Sequence, residues 1–419
     1  MITVNGLGEL VKPKAVLAYC REKDIRAIDL RFVDLGGDWK HVTIPVGLLT
    51  ENAFESGFGQ QVTLLGVDGE LRQQVVLLPI AEAHFVDPML DQPTLVIFAG
   101  ILEAISRQES WLDSRSVAAR CVQYLLSTGI ADGIQAWTSQ PFSLQSHRAE
   151  NDDDSVPASR LYLSCNAHDE DFSFRCKLAS LAAEAGIIID RHYRPEKSTS
   201  EIVLGASSLP ELCDDLMMVR YLIDQLAWNQ GRRRIATEDS MKTHWMLSKA
   251  GESIFSGSSQ LGLSDLGWYA IGGIMEHAAT LAAVALATPG RACDTEYRWS
   301  KSVHTGDAHA LCNVIFGYQD PRQRAIEFRG FASDGNPYLL SAAIVMAMVD
   351  GIQNKYAVSH AMRSREEEFH SEQSSHSPEP GVWCIHDLRE AIINDSDFLM
   401  VGDVFSEPLL QTLAGYLEP

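Results

Sequence analysis

The eight cysteines (Cys20, Cys121, Cys165, Cys176, Cys213, Cys293, Cys312 and Cys384) are scattered, and no two form a C-x-x-C pair. That leaves zinc-finger and dithiol redox chemistry unsupported and fits a reduced compartment. Basic residues are scarce: 34 Lys and Arg stand against 56 Asp and Glu, a net charge of −22. Without a basic stripe to neutralise phosphates, nucleic acid is disfavoured as a partner, and so are anionic membrane surfaces. No run reaches the ~18 apolar residues of a membrane span, and no signal-peptide pattern opens the chain. A cytoplasmic location is therefore expected.

What is present is a globular composition, 46% hydrophobic and 21% charged. At 419 residues the chain exceeds one ordinary core, so two domains or one large α/β domain are expected. Lys14 to Lys23 reads as an amphipathic helix. Ala27 to Asp34 and Trp39 to Pro45 read as strands joined by a Gly36-Gly37 turn, a β-hairpin pattern. Ile187 to Asp190 reads as a buried strand and Tyr269 to Leu286 as one long helix.

The most informative stretch runs from Arg322 to Lys355. Arg324 to Arg329 reads as a strand, in which Ile326 and Phe328 point one way and Glu327 and Arg329 the other. Asn336 then caps a helix with Pro337 at its first position and Leu340, Ala343, Ile344 and Met348 at core spacing. A carboxylate and a guanidinium thus share one face of a strand. They read equally as an ion pair kept for folding or as a remnant of ligand binding. His244 on a separate strand reads as a buried structural histidine at least as readily as a functional one. The acidic run Asp152-Asp153-Asp154 reads as solvated surface.

In order and spacing, Glu327, Arg329, Asp334, Asn336, Pro337, Tyr338, Asp350, Gly351 and Ile352 resemble the last catalytic segment of the glutamine synthetase family. Asp29-Leu30-Arg31-Phe32, Asp34 and His41 to Pro45 resemble that family's opening strands. Phe398-Leu399, Gly402 and Val404-Phe405 resemble its end segment. The likeness extends from about Ile28 to Tyr416 and is closest to the type I enzymes. It implies an α+β chain. An N-terminal β-grasp domain (1–100) would precede a catalytic-type domain (101–419), an antiparallel sheet flanked by helices. Segments 146–159 and 364–380 are expected to be mobile. The resemblance also implies roles for four residues. Glu327 and Glu201 would be metal ligands, Arg329 would act catalytically at the reacting phosphoryl group, and His244 would contact nucleotide phosphate.

The same alignment shows coordinated departures. Gly59 to Val62 stand where the family carries an Asp-Gly-Ser-Ser loop core. Ser139 and Pro141 stand where two glutamate ligands belong. A serine hydroxyl is a poor magnesium ligand and proline is none. Glu201 fits one further ligand position. Glu196 stands near another at the wrong spacing, with Arg194 competing for the place. Lys242 stands where the family has a metal-binding histidine, and the family's glycine-rich glutamate-binding turn and Arg-Asn-Arg are absent. Losing one preorganised electrostatic group typically costs roughly 10²–10³ in rate, so losing several should abolish phosphoryl transfer.

The expectation is a degenerate family member serving as a scaffold, regulator or partner subunit. It would form a homo-oligomeric ring or join an active paralogue. The alternative is an ATP-dependent carboxylate–amine ligase with a rebuilt pocket. The cofactors would be Mg and ATP if the chain is active and none if it is not. In the family a further C-terminal segment links two hexameric rings. With this sequence ending at Pro419, hexamer, dodecamer or a smaller assembly all stay open.

Overall fold

The computed structural model describes residues 12–66, 69–145, 162–163, 169–195, 199–235, 241–287, 297–304, 310–331, 334–358 and 381–418. The two segments expected to be mobile, the acidic run and Glu196 lie outside these residues.

The N-terminal sheet comprises β1 (Ala27–Val33), β2 (Trp39–Pro45), β3 (Phe58–Gly66), β4 (Gly69–Val86) and β5 (Thr94–Glu103). Their order is β2-β1-β5-β4-β3, with β1 parallel to β5 and the other pairs antiparallel. Pro13 at the first turn starts the Pro13–Glu22 helix, whose Val16 and Cys20 join the core. All seven residues of β1 are buried, including Asp29 and Arg31. Burying a charge is costly unless it is paired. Arg31 is paired with Asp29 at 2.7 Å and with Asp87. Its guanidinium also stacks over Trp39 at 4.6 Å and Tyr221 at 4.4 Å. Tyr221 lies on the Glu211–Asn229 helix, so this cluster ties the N-terminal sheet to the rest of the chain.

The larger sheet comprises β6 (Gly133–Leu144), β7 (Ile189–Tyr193), β8 (Thr199–Leu204), β9 (Arg234–Ile235), β10 (Met241–Lys249), β11 (Glu252–Ser253), β12 (Tyr297–His304), β13 (Ala310–Phe316), β14 (Arg324–Phe331) and β15 (Gly381–Trp383). Eight strands run in the order β15-β12-β13-β14-β10-β6-β8-β7, with β9 on β6 and β11 on β10. One pair departs from the antiparallel expectation, because β12 and β13 are parallel. A second expectation is corrected at β7. It is a terminal strand of the sheet, with Ile188 beside it 69% exposed, so Ile187 to Asp190 is not a buried strand.

Following β14 in the chain, the Pro337–Asn354 helix is buried almost end to end. The Asn336 side chain accepts from the backbone N–H groups of Tyr338 and Leu339, the cap expected from sequence. The Asn336 amide also donates to the Asp34 carbonyl at 3.0 Å, which docks the β1–β2 turn here. Gly37 in that turn has φ +91° and approaches the Asn336 backbone, so both its conformation and its lack of a Cβ are needed. The Pro337–Asn354 helix crosses the Asp265–Glu276 helix at Gly273 and Gly351. A Cβ on either glycine would run into backbone of the other helix.

The single helix expected over Tyr269 to Leu286 is two helices, Asp265–Glu276 and Ala278–Leu286, bent by 61°. His277 sits at the break with non-helical φ −91° and ψ 16°. Its ring is held by Asp350 at 3.0 Å and Asp395 at 2.9 Å, so side-chain pairing at the break accompanies the bend. Among the described residues no single helix is long and apolar enough to cross a membrane, and this bent pair lies in the protein core.

Candidate functional site

Alternation along β10 divides its side chains between two faces. Trp245 and Leu247 enter the main core, fully buried. Lys242, His244 and Met246 point to the opposite face. Pairing register puts Lys242 between Ser139 of β6 and Arg329 of β14, and His244 between Trp137 and Glu327. On the next strand out, Glu201 of β8 pairs with Pro141 of β6. The positions singled out from sequence therefore converge on one face of the large sheet.

Glu327, His244 and Arg329 form one cluster. One Glu327 oxygen contacts His244 Nε2 at 2.9 Å. The other accepts from Arg329 Nε at 2.6 Å and from Asn313 Nδ2 at 3.0 Å. Burial pushes the Glu327 carboxyl up. The hydrogen bond and charge of His244, followed by the Arg329 charge, outweigh burial and bring it down to about 2. His244 Nδ1 lies 3.1 Å from the Trp137 carbonyl. Both ring nitrogens thus face protein oxygens. The ring stacks on Trp137 at 5.1 Å and 7°.

Glu201 belongs to a second cluster. Its two oxygens accept from Lys242 Nζ at 3.0 and 2.9 Å, and one also accepts from the Tyr193 hydroxyl at 2.7 Å. Glu201 is 3% exposed, so this pairing compensates a buried carboxylate. Burial, followed by the Glu201 charge, pushes the Tyr193 phenol well above its ordinary range. Below the two clusters the face is apolar: Trp137, Val203, Met246 and Ala325 pack with Tyr193, Ala206, Ile315 and Tyr318.

Of the four residues expected to carry function, the fold joins Glu327, His244 and Arg329 directly, while Glu201 lies apart on β8. Three participants escaped the sequence reading: Asn313, Tyr193 and Trp137. Asn313 offered a signal as a polar residue within the apolar strand Leu311 to Ile315. Tyr193 offered less, because its partner lies eight residues on across the β7–β8 pair.

Magnesium favours near-octahedral oxygen coordination. Here each carboxylate is already held by protein cations and hydrogen-bond donors. Ser139 and Pro141 add no carboxylate. Among the described residues no group of three or more His, Cys, Asp or Glu side chains could hold a metal ion. These residues do not fit a magnesium site.

The chain is an α+β protein with two sheets, helices on their flanks and a polar row on one face of the large sheet. Residues 112–412 match the family model described as glutamine synthetase, catalytic domain, and the chain belongs to that family. It is 27% identical to the glutamine synthetase of Aquifex aeolicus over 442 residues, covering 95% of this chain and 93% of that protein. It is 26% identical to that of Salmonella typhimurium over 438 residues, covering 94% and 92%. The fold is similar to Plasmodium falciparum glutamine synthetase (TM-score 0.79, 16% identity, 97% and 95% coverage). It is also similar to a structure described as apo GmaS without ligand (TM-score 0.75, 18% identity, 95% and 93% coverage).

Proposed function

We propose that this chain is a non-catalytic member of the glutamine synthetase family, acting as a scaffold, regulatory or partner subunit. The observation that carries this reading is the engagement of both carboxylates on the site face by the protein's own groups, Glu201 by Lys242 and Glu327 by His244 and Arg329. A magnesium ion would have to displace those pairs before it could reach either carboxylate. His244 and Arg329, expected from the resemblance to contact nucleotide phosphate and the phosphoryl group, act here on Glu327. Glu327 and Glu201 are ion-pair partners in this reading, not metal ligands.

The same proposal includes an N-terminal unit of residues 1–100, a catalytic-type unit of residues 101–419, a cytoplasmic location and ring assembly with like chains or with an active relative. Calorimetry with Mg-ATP on the full chain tests the functional core, with Glu327→Ala as the control. No heat of binding at millimolar nucleotide is expected. Binding that Glu327→Ala removes would overturn the reading in favour of an ATP-dependent carboxylate–amine ligase with a rebuilt pocket. The mass of the purified chain tests assembly, and a monomer would reject a homo-oligomeric ring.

A further inference from the structure

We propose that the Lys242 ammonium is the resident cation of this face, a tethered counter-ion that makes a divalent metal unnecessary there. Four positions move together in this inference. Lys242 is on β10 and Glu201 on β8, with β6 between them. Two strand spacings are about 9.6 Å, so the lysine must extend across β6 to reach Glu201. The β6 residues it passes are Ser139, its register partner, and Pro141, the register partner of Glu201. Both are short and uncharged. A carboxylate at either position would stand beside the ammonium and compete with Glu201 for it.

The contact is specific in its geometry. Both Glu201 oxygens lie within 3.0 Å of Lys242 Nζ, and the Tyr193 hydroxyl satisfies a further lone pair. Charge accounting agrees. Lys242 offsets Glu201 and Arg329 offsets Glu327, with His244 a further partner of Glu327, so neither carboxylate needs an added ion. With two more carboxylates in place of Ser139 and Pro141, and no lysine, the same face would carry a net charge that only bound cations could neutralise. The loss of acidic side chains on β6 and the gain of the lysine on β10 are two halves of one replacement, from a mobile ion to a covalent one.

This inference deepens the non-catalytic reading and rests on it for the view that the face has no metal-dependent chemistry. The test uses Mn²⁺ as the probe on the full chain, with melting temperature and the electron-paramagnetic signal of free Mn²⁺ as readouts. The wild type is expected to melt at the same temperature in EDTA and in millimolar Mn²⁺, and to leave the free-ion signal undiminished. Lys242→Ser is expected to melt lower in EDTA, because Glu201 loses its counter-ion, and to recover part of the loss in Mn²⁺. Lys242→Ser combined with Glu201→Gln should regain stability and ignore Mn²⁺.

A wild-type response to Mn²⁺ that Glu201→Gln removes would overturn the proposal. So would a Lys242→Ser variant as stable as the wild type in EDTA and indifferent to Mn²⁺. If Lys242→Ser does not fold, the wild-type and Glu201→Gln signals still decide. The two readings fail separately. Mg-ATP binding that Glu327→Ala removes and Glu201→Gln does not would overturn the non-catalytic function and leave Lys242 as the cation. Mn²⁺ held by Glu201 without any nucleotide binding would overturn the role of Lys242 alone.

Discussion

His277 should make the docking of the C-terminal helices depend on pH. Its Nδ1 faces Asp395 at 2.9 Å and its Nε2 faces Asp350 at 3.0 Å, so the favoured ring donates from both nitrogens and is an imidazolium. Asp350 is on the Pro337–Asn354 helix, and Asp395 follows the Ile385–Asn394 helix. The Phe398 ring stacks on the imidazole at 3.8 Å. The Tyr356 ring lies edge-on to the imidazole at 6.1 Å. Burial alone would lower the His277 pKa, but the hydrogen bonds and charges of Asp395 and Asp350 outweigh it and the net shift is upward. The sign follows from linkage. A group whose folded pKa is raised stabilises fully below its unfolded value, about 6.5, and that stabilisation is lost as pH rises through the folded value. Hydrogen bonds to charged groups contribute about 1.5–3 kcal/mol. Asp395 is 42% exposed, so solvent screens its share and the lower end, about 1.5 kcal/mol, is appropriate. That corresponds to roughly 10-fold in an opening equilibrium, at about 1.4 kcal/mol per tenfold. Hydrogen exchange of peptides from residues 385–416, corrected for the intrinsic rate, should show opening that increases from pH 6 to pH 8. In His277→Gln the opening should be greater at pH 6 and flat with pH. Wild-type opening that is flat across this range, or a variant with the wild-type slope, would refute the linkage.

Arg31→Met should destabilise the chain by about 3–5 kcal/mol, because Asp29 and Asp87 stay buried without their counter-ion; chemical denaturation followed by Trp39 fluorescence measures it. Glu327 should drive acid sensitivity in the opposite sense to His277. Its carboxyl falls from 4.5 to about 2, so about 3 kcal/mol is present above pH 4.5 and lost as pH falls toward 2. Acid titration of Glu327→Gln should show a shallower loss over that window. Gly351→Ala should cost at least about 1–3 kcal/mol by overpacking the crossing against Tyr269 and Gly273, seen as a lower melting temperature or insoluble expression.

The legible parts of this fold are those encoded within one element. Asn336-Pro337 announced a helix start because capping is a contact between residues two and three apart. Alternation in Ile326, Glu327, Phe328 and Arg329 assigned each side chain to a face, and the assignment holds: Ile326 and Phe328 enter the core, while Glu327 and Arg329 meet on the other face. The break at His277 was hidden because the apolar pattern runs on through it, and the groups beside the break come from 73 and 118 residues away. Lys242 marks the same boundary more sharply. The family pattern marked it as the wrong residue for a metal ligand. It could not say that the ammonium reaches Glu201, because that contact spans three strands and depends on what β6 leaves unoccupied. Taken one at a time, Ser139, Pro141 and Lys242 read as three losses. Taken in register they read as one exchange, in which the acidic residues of the face fall to the number that the cations of the chain can hold.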